Sequence, residues 1–360
     1  MARSLVLGKF APFHAGHASL IDRALELGEV TVLAYDTQVM PVPLNIRASR
    51  IRERYPSAEV IEAWGSPERE GYEPDIIAEH NDYIRTILGD RRIDFVIGSE
   101  PYVFDVAREL DAEPMMIDPE RMRIPISGTL IRSDPYRYRN YLGGQEYRDL
   151  VVNVVVMGGP STGKSTLVEA LAKHYATTFM HEHGRDYWLE HQVDRRLSIH
   201  ALLELAQEHL EMENERLEHA RDVFFTDTNA ITTLLFSHQY YGIAKPELEA
   251  LARTNRDRYD LFIVCDTDIP FDDTWERSGD GNRMLLQRMT LEYLRAHHIP
   301  YHVVRGSVEE RVDAVARLLD RFKKWDPRTL AHDETRRNHE YRRHHQARVH
   351  HQGARTRVPR

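Results

Sequence analysis

Gly158-Gly159-Pro160-Ser161-Thr162-Gly163-Lys164-Ser165 satisfies G-x-x-x-x-G-K-[ST] and sits between a strand-like run, Val151–Met157, and a helical stretch, Ser165–Tyr175. Glycines in such a turn let backbone N–H groups curl around phosphate oxygens, and the helix start adds partial positive charge. Lys164 is expected to reach the β and γ phosphates and the Ser165 hydroxyl to ligate Mg²⁺. Gly158, Gly159, Pro160, Ser161, Thr162, Gly163 and Thr166 complete the cradle. This half of the chain is therefore expected to bind a nucleoside triphosphate.

The turn alone does not separate a small kinase from an ATPase motor or a GTPase. Three further segments narrow the choice. Glu182, in His181–Asp186, follows the strand-like Thr177–Met180, and Asp227 ends the buried run Val223–Asp227. Phosphoryl transfer needs a carboxylate near the acceptor and cations around the γ-phosphate, so Glu182 and Asp227 are candidates for base and Mg²⁺ partner, with the division between them open. Asp272-Asp273, Arg277, Gly279, Gly281 and Arg283 read as a charged loop able to close over phosphates. Only about 160 residues follow the turn before a basic tail, without repeats, which favours a small kinase.

Upstream, strand-like and helix-like stretches alternate: Leu5-Val6-Leu7, then Ala18–Leu27, Val30–Ala34, Val60–Ala63, Ile76–Leu88 and Phe95-Val96-Ile97. Such alternation implies parallel βαβ units. Between the first strand and its helix lies Gly8-Lys9-Phe10-Ala11-Pro12-Phe13-His14-Ala15-Gly16-His17. His14 and His17 at a helix start are expected to donate to phosphate oxygens, with Lys9 adding charge and Gly16 allowing close approach. Later, Ile126-Ser127-Gly128-Thr129-Leu130-Ile131-Arg132 offers Ser127 and Thr129 as helix caps and Arg132 as a guanidinium aimed at phosphate.

The polar, Tyr- and Arg-rich stretch Ser133–Asp149 marks the boundary. The expected layout is 1–140, a linker 141–150, a second domain 151–325 and a disordered tail 326–360. Both domains are expected to be doubly wound α/β sheets, with Ser198 capping a long helix in the second. The formal net charge is -9, yet the tail carries nine Arg against four Asp or Glu. An acidic body argues against a general nucleic-acid binder. No leader, no membrane-length apolar run and a single cysteine, Cys265, point to a cytoplasmic protein.

Residues Gly8–His17 and Ile126–Arg132 resemble the two signature motifs of the nucleotidyltransferase α/β superfamily. Gly98–Tyr102 and Ile117–Arg121 resemble segments of its NadR-type nicotinamide mononucleotide adenylyltransferases. The second half is similar to the ribosylnicotinamide kinase domain fused to them, on Glu182–Asp186, Asp227-Thr228 with Thr232-Thr233, and Asp272–Arg283. The resemblance runs from Ser4 to about Trp325. It implies ATP and Mg²⁺, with Gly8 and Phe10 among the ATP-binding residues. It further implies ribosylnicotinamide, nicotinamide mononucleotide and NAD as substrates or products, and a homo-oligomer. Some members begin with a helix-turn-helix repressor domain; none precedes Arg3, so repression is not implied. The alternatives are another phosphate acceptor on the same fold, or one domain serving only as a nucleotide sensor.

Overall fold

The structure, a computed structural model, describes residues 1–67, 69, 71–194, 196–271 and 280–325. Its first sheet comprises β1 (Ala2–Gly8), β2 (Gly28–Tyr35), β3 (Glu59–Ala63), β4 (Phe95–Gly98) and β5 (Glu113–Met116). All pairs are parallel, in the order β3-β2-β1-β4-β5. Parallel neighbours require crossovers, here α1 (Ala15–Leu27), α2 (Leu44–Arg54), α3 (Pro74–Leu88) and α4 (Tyr102–Glu109). The central strand β1 feeds both faces by simple alternation. Val6 joins Ile21, Leu44 and Ile51 on one side, while Leu5 and Leu7 join Ile84, Leu88 and Val103 on the other. After the sheet come α5 (Gly128–Ser133), a 3₁₀ turn (Arg139–Tyr141) and α6 (Gly144–Arg148).

The second sheet comprises β6 (Val152–Met157), β7 (Phe179–Met180), β8 (Val223–Asp227), β9 (Leu261–Cys265) and β10 (His302–Val304). It is again parallel, in the order β10-β9-β6-β8-β7. The intervening helices are α7 (Lys164–His174), α8 (Gly184–His191), α9 (Ile199–Leu217), α10 (Ala230–Tyr241), α11 (Pro246–Arg258) and α12 (Asp280–Ala296), with α13 (Val308–Leu319) last. β8 and β9 are buried at every residue, as strands covered by helices on both faces must be. Ser198 caps α9, its hydroxyl accepting from the Ala201 N–H at 3.1 Å. Among the described residues, no helix is long and apolar enough to cross a membrane.

The stretch 141–150 differs from the expected linker. Tyr147 and Val151 are buried with Met180, Leu217 and Phe224, and Tyr136 and Leu142 pack on the same cluster. The Tyr147 hydroxyl donates to the Ala220 carbonyl. A polar-looking sequence can be core here because tyrosine carries a large apolar body and a pairable tip. Across the seam to the first sheet, Arg50 on α2 grips Asp149 through bonds of 2.8 and 2.9 Å. Asp149→Ala is expected to cost about 2 kcal/mol in denaturant unfolding, less than for a wholly buried pair, because Glu53 still faces the guanidinium. An unchanged midpoint would show that the pair contributes nothing. Both sheets lie in one compact unit, Met1–Arg321. The expected tail and the loop residues Asp272, Asp273, Arg277 and Gly279 fall outside the described residues.

Candidate active sites

The lysine-bearing turn caps β6, which lies between β8 and β9, where an open α/β sheet leaves a crevice beyond its strand ends. Gly163 takes φ 81°, in the left-handed region, just before α7. A Cβ on Gly159 would stand 2.6 Å from the Arg283 carbonyl oxygen. These two glycines are required by backbone geometry, not by composition. The Thr162 hydroxyl and the Lys164 ammonium both donate to the Gly159 carbonyl, at 2.8 and 3.1 Å, holding the turn closed on itself.

Two residues that the sequence did not single out support the turn. Gln287 on α12 accepts the Gly159 N–H at 2.8 Å and donates to the Cys265 carbonyl at 3.1 Å. Arg311 on α13 donates to the Thr162 carbonyl at 2.6 Å and pairs with Asp268 at 2.7 Å. Arg283, expected in a closing loop, instead belongs to α12, where it is buried and donates to the Ile269 carbonyl at 2.8 Å. Its place against Gly159 makes it part of the turn's floor.

A cavity of about 530 Å³ opens in front of the turn. Lys164, Ser165, Thr166, Pro160 and Glu182 lie on its wall, together with apolar and aromatic residues Trp188, Leu202, Leu205, Phe236 and Tyr240. Asp227 ends β8 opposite Val156 of β6 and is 0% exposed. Neither of its carboxylate oxygens has a hydrogen-bond partner. Burial first, and then the negative charge of Glu182, push its carboxyl above the usual carboxylate range, against the pull of Lys164. A carboxylate so poorly satisfied, beside a serine hydroxyl at a phosphate-type turn, fits a hard divalent cation such as Mg²⁺.

In the first domain the histidine-bearing turn caps β1, at the switch between β2 and β4. His14, 6% exposed, is the N-cap of α1, its Nδ1 accepting from the Gly16 N–H at 3.1 Å. Accepting there places the proton of the neutral ring on Nε2, which is thereby a donor. The two imidazoles stack with centroids 3.7 Å apart, and His17 Nδ1 is buried without a partner. Burial and the nearby Arg121 charge lower His14 to about 4, and burial, His14 and Arg121 hold His17 well below its ordinary value. Both rings are thus neutral donors at physiological pH.

The second motif meets the first directly. Arg132 donates to the Ala11 carbonyl at 2.6 Å and to Thr129 Oγ1 at 3.1 Å, so its guanidinium ties the two motifs together. A Cβ on Gly128 would lie 2.8 Å from that same Ala11 oxygen. Ser127 caps α5, accepting from the Leu130 N–H at 3.2 Å. Phe10, expected to contact nucleotide, is buried in the core and meets His17 edge-on at 4.9 Å, while its ring covers Gly8. The Lys9 carbonyl accepts from Arg47, which also donates to the Val42 and Tyr35 carbonyls at 3.0 Å. Arg121, whose charge acts on both histidines, received no role from the sequence.

The His14 shift predicts a pH effect. The folded ring stays neutral down to about pH 4, whereas an unfolded histidine protonates near 6.5. The unfolded state therefore binds more protons in that window, and stability falls as pH drops through it. His14→Asn keeps a capping acceptor and removes the titration. Its unfolding midpoint is expected to fall less than the wild type's between pH 6.5 and 4; parallel curves would refute the assignment.

The fold and the two turns define a class: a nucleotidyltransferase-type α/β domain followed by a P-loop domain. The family described as cytidylyltransferase-like matches residues 5–134, and that described as an AAA domain matches 153–311. The chain is 28% identical over 336 residues to the trifunctional NAD biosynthesis/regulator protein NadR of Salmonella typhimurium, covering 85% of this chain and 80% of that protein. To the protein of that name from Escherichia coli K12 it is 28% identical over 325 residues, covering 82% and 77%. Two crystal structures of NadR protein, one with NAD and AMP-PNP and one with NR, share the fold at TM-scores of 0.51 and 0.52. They are 20% and 21% identical to this chain and cover 88% of it and 95% of their own lengths. The tandem is similar to NadR along most of its length.

Proposed function

We propose that the chain carries out two consecutive steps of NAD salvage. The second domain phosphorylates ribosylnicotinamide, and the first transfers an adenylyl group from ATP to the resulting mononucleotide. The observation that carries this reading is the pair of phosphate-type turns, each at the end of its sheet's central strand in one chain, together with the NadR likeness along both.

In the kinase step the 5′-oxygen of the riboside forms a bond to the γ-phosphorus, the bond to the β-γ bridging oxygen breaks, and ADP leaves. Glu182, on the cavity wall, takes the hydroxyl proton, whereas Asp227 lies beneath it. Lys164 and the amides of the turn offset the charge spreading over the phosphoryl oxygens. Ser165 and Asp227 would hold Mg²⁺, which when bound supplies further positive charge to the phosphates.

In the adenylyl step a phosphate oxygen of the mononucleotide bonds to the α-phosphorus and pyrophosphate departs. That nucleophile is already anionic, so the domain needs no base. His14 and His17 orient and stabilise the triphosphate as neutral donors, with Lys9 adding charge. The proposal extends to a cytoplasmic homo-oligomer, on the family resemblance.

Incubation with ATP, Mg²⁺ and ribosylnicotinamide, followed by mass, tests the reading. Mononucleotide and then NAD are expected. Mononucleotide alone would leave the first domain as a nucleotide sensor, and neither product would point to a different acceptor.

A further inference from the structure

The buried side of α9 carries a histidine that neither phosphate site uses. His209 lines the cavity beside Leu202 and Leu205, is 7% exposed, and its Nε2 has no hydrogen-bond partner. One turn further along α9, Glu213 is buried too, accepting the Tyr259 hydroxyl at 2.6 Å and Arg258 Nε at 2.7 Å. Its Oε2 lies 4.0 Å from His209 Nε2, beyond hydrogen-bond reach but close enough to favour a proton there. Burial holds the ring neutral, with its value lowered to about 4. A neutral imidazole has one donor and one acceptor nitrogen. With the proton on Nε2 facing the carboxylate, the lone pair is on Nδ1.

We infer that His209 is a specificity-determining residue for the phosphoryl acceptor: its Nδ1 accepts a hydrogen bond from an N–H donor on the flat ring of a nucleoside seated among the apolar residues of the cavity. The inference rests on the kinase reading of this domain. It assigns the acceptor a chemistry: a flat aromatic ring bearing an amide N–H in place of a carboxylate. A carboxylate in the same place offers no donor and meets a lone pair with Glu213 behind it. A site built around a hydrogen bond rejects the analogue that cannot make it.

The test uses the full chain and replaces His209 in three ways. In His209→Asn the side-chain amide falls near the position of Nδ1, in His209→Gln near that of Nε2, and His209→Ala offers neither. Thermal unfolding identifies variants that remain folded. With ribosylnicotinamide, KM is expected to rise about tenfold in His209→Gln and His209→Ala, with kcat little changed, and His209→Asn to recover most of the loss. With the carboxylate riboside, all folded forms are expected to have similarly poor KM values. Equal KM values across the folded variants, or rescue by Gln in place of Asn, would overturn the role of His209 while leaving the kinase reading intact. A wild type that does not phosphorylate ribosylnicotinamide overturns that reading, and this inference falls with it.

Discussion

Lys164→Ala is expected to lower ribosylnicotinamide phosphorylation about a thousandfold while adenylyl transfer to the mononucleotide continues at the wild-type rate. Removing one preorganised positive group from a transition state that spreads negative charge over several oxygens costs on that order. The ammonium also donates to the Gly159 carbonyl, so part of the loss comes from a loosened turn. That contribution is contained, because Thr162, Gln287 and Arg311 keep their own bonds to the turn. The measurement is the rate of each half-reaction on the same preparation, with thermal unfolding as the control. Loss of both activities in a folded variant would mean that the two sites do not act independently.

His17→Ala is expected to give the mirror image, with adenylyl transfer reduced about a hundredfold and phosphorylation spared. The smaller figure reflects the neighbouring ring: His14 stacks on His17 and is fixed by its cap, so one donor remains in place. His17 also touches Phe10 and Phe13, and truncation leaves a gap beside them. His17→Gln fills more of that gap while losing the ring. Similar losses for Ala and Gln would show that the imidazole itself is needed; full activity with Gln would show that any donor near that position suffices, and full activity with Ala would remove His17 from the reaction.

What the sequence revealed follows from how local each feature is. Val151–Met157 and Leu261–Cys265 were legible because strands buried on both faces are largely apolar, with Asn153 the one polar residue in the two runs. Edge strands escape that rule: β5 reads Glu-Pro-Met-Met and β10 His-Val-Val, with two exposed positions in each. The phosphate-type turns were legible because their chemistry is written in consecutive residues. Gln287 and Arg311 stand more than a hundred residues from the turn they support, and nothing in their own neighbourhoods shows it. Arg132 was recognisable as a cation, but only the folded chain shows its bond to Ala11. On α9 the apolar pattern marks Ile199, Leu202, Ala206, Leu210 and Leu217. The buried stripe includes His209 and Glu213, and Leu210 is left partly exposed. Periodicity assigns polar letters to the solvent side, so a pocket lined by a histidine was invisible to it.

The apolar wall that Tyr136, Leu142 and Tyr147 contribute to the second core decides how this protein can be cut. A shortened gene starting at residue 151 would encode a domain stripped of three of its own wall residues. One starting ahead of Tyr136 would keep them. Anyone expressing the two halves as separate polypeptides would therefore place the scission upstream of that tyrosine, and would still forfeit the grip of Arg50 on Asp149.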